Sequence, residues 1–213
     1  MTELPPAPSP TALLLWASVL AVFLMLNEFA SRRTSLPPEL FRKVAHIGIA
    51  VLVVAATVAE SFDHRWWLPL GLLFSLALLV ARRLPLRSFS SRSDGSVGEV
   101  VYGLGVGLAA LAPDVNVFCC AVLALGLADP MAQLVGTRLP ILRLTGRKSL
   151  GGALGCAVTS LAVAVPLVSP IAWAPVAVLA TIAELFSPRG TDNLTVPAVV
   201  ALAATVVSMA FPG

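Results

Sequence analysis

Residues 119–136 read CCAVLALGLADPMAQLVG, an apolar run long enough for a bilayer but interrupted near its middle by Asp129 and Pro130. An acid beside a helix breaker is costly in a protein core and in lipid alike, so the surroundings must explain it. Composition identifies the solvent. Of 213 residues 58% are hydrophobic and 12% charged, and the mean hydropathy is +0.92, which excludes an ordinary soluble domain. A helix needs about 20 apolar residues to cross the roughly 30 Å hydrocarbon layer. Segments near that length lie at 11–29, 44–60, 66–81, 97–112, 116–136, 150–168, 171–186 and 194–211. The expected fold is therefore all-α, a polytopic transmembrane helix bundle of about eight spans, or seven if a short one is re-entrant. Pro166, Pro170 and Pro175 blur the boundary between the sixth and seventh.

Residues 1–10, MTELPPAPSP, read as a disordered proline-rich tail, and 11–213 as a single membrane domain. The first apolar segment has no basic residues before it and is too long for a signal peptide, which predicts a retained helix. Of the 14 basic side chains, all but Arg65 fall in alternate connections. These are Arg32, Arg33, Arg42 and Lys43; Arg82, Arg83, Arg87 and Arg92; Arg138, Arg143, Arg147 and Lys148; and Arg189. Basic residues near span ends stay on the cytoplasmic side, so the pattern predicts an integral membrane protein, in the inner membrane if the cell is bacterial, with both termini outside. The net charge of +3 then describes a face suited to anionic lipid headgroups or an anionic substrate, and implies no nucleic acid. The three cysteines, Cys119, Cys120 and Cys156, lack metal or redox spacing and read as packing residues, and no internal repeat of useful length is visible.

The polar residues inside apolar runs carry the functional signal. An ionised side chain at mid-bilayer costs about 2.5–3.5 kcal/mol on insertion scales, so each one needs a reason. Glu28 and Glu99 lie at span ends, where pairing with neighbouring arginines is sufficient reason. Asp129 stands twelve residues after Val117 and nine before Arg138, well inside its segment. Because proline disfavours α conformation in the residue before it, the reading is a broken helix at Asp129–Pro130, with Asp129 capping a half-helix from Pro130 to about Thr137. Either Asp129 is only that cap, or it lines a wet cavity and holds a divalent cation. Ala132, Gln133 and Gly136, at three, four and seven residues on, leave a small or polar face beneath it.

The following stretch, TRLPILRLTGRKSLGGALG at 137–155, joins Arg138, Arg143, Arg147 and Lys148 to Gly146, Ser149, Gly151, Gly152 and Gly155. Cations and exposed amides suit phosphate, although the glycine spacing is not that of a P-loop. A positive-inside loop leading into a small-residue helix seam explains the same residues. A third cluster, AELFSPRGTDNLTVP at 183–197, brings Glu184, Ser187, Arg189, Asp192 and Asn193 together, more than a turn requires. Asp129, Glu184 and Asp192 are thus candidate metal ligands, and an oxygen donor set of this kind suits Mg²⁺ held jointly with the phosphates of a nucleotide triphosphate.

In this order the series NEF and FRKVAH (Asn27, Glu28, Arg42, Lys43, His46), GEVVYG (Gly98, Glu99, Tyr102), LGLADPMAQLVG, GRKSL and SPRGTDNLTVP resembles the polyprenol kinase family of integral membrane enzymes. That family includes dolichol, phytol and farnesol kinases and the CTP-dependent diacylglycerol kinase, and is distantly similar to phosphatidate cytidylyltransferases. Its nucleotide-binding pattern matches Asp129, Ala132, Gly136, Lys148 and Ser149. The resemblance implies CTP as phosphoryl donor, Mg²⁺, and a membrane lipid alcohol as acceptor. It makes Asp129, Glu99, Lys148 and Asp192 the catalytic candidates, and Ala132, Gly136, Arg147, Lys148, Ser149 and Asn193 the nucleotide-binding ones. The base could be Asp192, Glu184 or Glu99. His46 shares a helical face with Arg42 and Lys43 and is either functional or an interfacial hydrogen-bonding residue. Two positions depart from the pattern: Ala128 replaces a glycine, and Gly151 replaces the glutamate that usually follows the Lys-Ser pair. A cytidylyltransferase, a transporter and a catalytically silent membrane protein are the alternatives.

Overall fold

The computed structural model describes residues 7–60, 63–81, 97–146, 148–188 and 190–211. Among them are eight α-helices: α1 (Pro10–Arg33), α2 (Pro38–Glu60), α3 (Trp67–Ala81), α4 (Gly98–Ala109), α5 (Val115–Arg138), α6 (Leu150–Ala164), α7 (Pro170–Phe186) and α8 (Asp192–Ala210). A two-stranded antiparallel hairpin, β1 (Arg143–Thr145) and β2 (Lys148–Ser149), interrupts the series between α5 and α6. The all-α bundle expected from the apolar runs is the observed architecture.

Local chemistry sets the helix starts. Ser9 caps α1 by accepting from the Ala12 amide at 3.1 Å, with Pro10 in the first position where its missing N–H costs nothing. Asp114 accepts from Asn116 and Val117 to open α5, and Ser149 accepts from Gly152 to open α6. Pro170 begins α7 as Pro10 begins α1.

Helix α5 is the centre of the bundle, packed by α2, α4, α6 and α8. Phe118, Val122 and Leu125 are fully buried there and meet Tyr102, Val106, Val176 and Val200 in one apolar core. The outer faces carry large exposed apolar side chains, such as Leu14 and Met25 on α1, Leu73 on α3 and Leu202 on α8. Such a surface is stable only against hydrocarbon or a protein partner. Five stretches, Pro10–Arg33, Pro38–Glu60, His64–Ala81, Val115–Arg138 and Asp192–Ala210, are long and apolar enough to cross a membrane. Helices α4, α6 and α7 are shorter, with 12, 15 and 17 residues.

One expectation is corrected. Residues 115–138 form a single helix that passes through Pro130, so Asp129 caps no second half-helix. Proline removes one amide donor, leaving the Gly126 carbonyl without its i+4 partner. Buried packing on both flanks holds the turn: Gly126 lies so close to α2 that a Cβ there would be 2.3 Å from Ala50 Cβ. The expected tail is described only from residue 7, where Ala7 to Ser9 lead into α1.

Candidate active site

The site is assembled where the N-terminal ends of α2, α4 and α8 meet the C-terminal parts of α5 and α7. Asp129 projects from α5, Glu184 from the last turn of α7 and Asp192 from the first residue of α8. One carboxylate oxygen from each lies within 4.8 Å of the others. Glu184 and Asp192 are buried, at 3% and 8% exposure, and Asp129 is partly buried. Three carboxylates this close repel one another strongly unless cations balance them.

Two lysines supply that balance. Lys43 of α2 donates to Asp129 Oδ2 at 3.4 Å. Lys148 ion-pairs with Glu184, donates to the Glu184 carbonyl at 2.9 Å and lies 3.8 Å from Asp192 Oδ2. The hairpin delivers Lys148: Gly146, at φ 51°, makes a left-handed turn that suits glycine, and Thr145 Oγ1 donates to the Leu185 carbonyl at 3.2 Å. Burial alone would pull the Lys148 ammonium down, but the carboxylates of Glu184, Asp192 and Asp129 more than reverse this and hold it above the ordinary lysine value. Lys148 therefore stays charged at neutral pH.

The nucleotide-side candidates lie beside this cluster. Ser149 Oγ accepts from the Gly152 amide at 3.2 Å, and a Cβ at Gly136 would meet that same oxygen at 3.0 Å and Gly152 Cα at 3.2 Å. Cβ atoms at Gly152 and Gly155 would lie 2.9 Å from the Ala132 and Met131 carbonyls. Ala132, Gly136, Ser149, Gly152 and Gly155 thus form the seam between α5 and α6, the small-residue packing anticipated for the stretch 137–155. Asn193 Nδ2 donates to the Gly98 carbonyl at 2.9 Å, and its backbone amide donates to Asp192 Oδ1 at 3.0 Å. It ties the start of α8 to the start of α4. Arg147 lies outside the described residues, as do Arg189 and the basic residues at 82, 83, 87 and 92.

Glu99, in the first turn of α4, is 5% exposed and is not one of the three clustered carboxylates. Asp129 and Glu99 both act electrostatically on Arg42, which also pairs with Glu39. His46 is 4% exposed, and neither of its ring nitrogens has a hydrogen-bond partner among the described residues. Its ring centroid lies 4.9 Å from that of Tyr102, whose hydroxyl donates to the His46 carbonyl at 2.8 Å. Two contributions had no assigned role in the sequence reading: the Lys43 contact with Asp129 and the Tyr102 contact with His46. The spacing Arg42, Lys43, His46 was the available signal for the first, and Tyr102 within GEVVYG for the second.

Cys119, Cys120 and Cys156 are buried free thiols packed among apolar side chains. The carboxylate cluster, by contrast, is an all-oxygen donor set whose Asp129 is partly exposed. Such a set fits Mg²⁺, which takes one or two carboxylates together with substrate oxygens.

Comparison with curated proteins finds a phytol kinase from Synechocystis sp. that is 29% identical over 220 residues, spanning 89% of this chain and 91% of that one. The resemblance to the polyprenol kinase family is borne out. No family model and no solved structure matches the chain. Within the polyprenol kinase pattern, Asp129, Ala132, Gly136, Lys148 and Ser149 converge on one face of α5 and the strand beside it. The departure at Gly151 also acquires a physical basis, since a Cβ there would lie 2.1 Å from the Leu139 carbonyl. The chain has closed over the space that a glutamate would need.

Proposed function

We propose that the protein is a CTP-dependent lipid kinase that transfers the γ-phosphoryl group to the hydroxyl of an isoprenoid alcohol such as phytol, farnesol or a polyprenol, with diacylglycerol as a further acceptor class. The observation that carries this reading is the carboxylate triad of Asp129, Glu184 and Asp192, within 4.8 Å and flanked by Lys43 and Lys148. The similarity to a phytol kinase supports the lipid alcohol as acceptor.

Asp129, Glu184 and Asp192 are the residues that would hold Mg²⁺. Bound there, the ion neutralises phosphate charge on the donor nucleotide. Lys148, held charged, exchanges its contact with Glu184 for the transferring phosphoryl oxygens, where developing charge gains most from fixed cations. Glu99, apart from the triad, accepts the proton of the acceptor hydroxyl. That oxygen forms its bond to the γ-phosphorus as the bond to the β–γ bridging oxygen breaks, and CDP leaves. The buried setting strengthens each of these contacts and keeps water from competing as acceptor.

The test is incubation of the purified protein in lipid with γ-labelled CTP, Mg²⁺ and a panel of phytol, farnesol, undecaprenol and diacylglycerol. The expected result is label in a lipid monophosphate and release of CDP. Release of pyrophosphate with cytidine on the lipid would make the protein a cytidylyltransferase, and label in no lipid would refute the kinase. Mn²⁺ binding followed by paramagnetic resonance tests the metal site without turnover, with loss of binding expected in Asp129→Asn.

A further inference from the structure

Away from the carboxylates, a half-enclosed cavity of about 270 Å³ runs between α1, α2, α3 and α4, with almost wholly apolar walls including Trp16, Val53, Trp67, Phe74, Tyr102 and Val106. Its volume is just under the roughly 300–1,000 Å³ of small-ligand sites, enough for a stretch of hydrocarbon chain with the remainder among bilayer lipids. Its two ends differ. At one, the indoles of Trp16 and Trp67 turn their N–H groups onto Glu60 Oε1 (3.0 Å) and Thr57 Oγ1 (2.7 Å), leaving apolar faces toward the groove. At the other stands Tyr102, whose ring packs on the buried imidazole of His46, which has no hydrogen-bond partner among the described residues.

That second end adjoins the phosphoryl site along two helices. On α4, Tyr102 and Gly103 line the groove one turn, about 5.4 Å of rise, after Glu99. On α2, Ile49 lines it three residues after His46, which is itself three residues after Lys43, the partner of Asp129. Asn193 holds the start of α4 against Asp192 through Gly98. An apolar slot therefore leads, within one helical turn, to a carboxylate and an imidazole beside the triad. A bulk phospholipid needs only the slot; a long-chain alcohol needs both parts.

We propose that the hydrocarbon chain of the acceptor alcohol lies in this α1–α4 groove, with its hydroxyl at the level of Glu99 and His46. The proposal rests on the kinase reading above for the fate of the hydroxyl, but not for the location of the chain. It makes the groove the determinant of acceptor chain preference, with Tyr102 as the residue that positions the head end.

Two measurements test it. The double substitution Ala17→Phe with Ala77→Phe fills the groove from exposed positions on α1 and α3. It should raise the KM for phytol about tenfold or more relative to geraniol, with the KM for CTP unchanged. Leu79→Phe, outside the groove lining, is the control. An unchanged phytol-to-geraniol preference in the filled variant would overturn the proposal. Independently, a diazirine-bearing prenyl alcohol is photolysed with the wild-type protein in phosphatidylcholine vesicles without nucleotide. Adducts on groove residues that excess phytol displaces uphold the site; adducts elsewhere, or displaced equally by added phospholipid, refute it. Failure of phosphoryl transfer in wild type would sink the kinase reading alone, since photolabelling reports chain location without it.

Discussion

Asp129 shows how one side chain can meet two demands. Its carboxylate sits in an apolar helix, which is tolerable because Lys43 donates to it and Lys148 lies across the triad. Asp129→Asn keeps the shape and removes the charge, and transfer should fall by about 10²-fold or more while the circular dichroism spectrum is retained. Glu99→Gln should lower kcat with little change in the KM for CTP, the signature of a group that acts on the acceptor proton. Gly151→Glu restores the polyprenol kinase residue, but its Cβ would meet the Leu139 carbonyl at 2.1 Å. The expected outcome is a loss of about 1–3 kcal/mol, seen as a lower Tm, and no gain in turnover. Asp129 and Glu184 were legible in the sequence because carboxylates in apolar runs are expensive, and Asp192 because its connection carries more polar groups than a turn requires. Lys43 was not, because a basic residue near a span end has a sufficient explanation in membrane topology.

At the level of elements, the helices were legible from apolar length and from their caps, and the departures occurred where packing outweighed local preference. Pro130 suggests a break, yet α5 is packed by four other helices and these neighbours hold it together at the cost of one backbone hydrogen bond. The hairpin of three and two residues was invisible because elements so short carry no periodicity. Two glycines separate the structural and chemical roles of α5. Gly126→Ala drives a methyl to 2.3 Å from Ala50 Cβ and should cost about 1–3 kcal/mol by thermal unfolding. Gly136→Ala meets Ser149 Oγ at 3.0 Å, a smaller strain, but it displaces the residue next to Lys148. Its activity should therefore fall further than its Tm implies, and kinetics beside a melting curve will separate the two.

For the whole molecule, the alternate placement of basic residues predicts that reporters fused to the N and C termini lie on the side opposite the triad, which protease protection in oriented vesicles will check. The residues that make the site come from five helices and the hairpin, far apart in sequence, so its convergence was beyond any local pattern. The helical architecture, eight helices among the described residues, was legible from the apolar runs. The 12 residues of α4 span about 18 Å, well short of the roughly 30 Å hydrocarbon layer that α5, with 24, can cross. A short element is accommodated by a thinner leaflet, by snorkelling flanks or by its protein neighbours, and α4 is packed by α3, α5 and α8. On the kinase reading proposed above, the start of α4, where Glu99 and the head end of the groove lie, is the level at which a hydrated nucleotide would meet a lipid hydroxyl without either leaving its own phase.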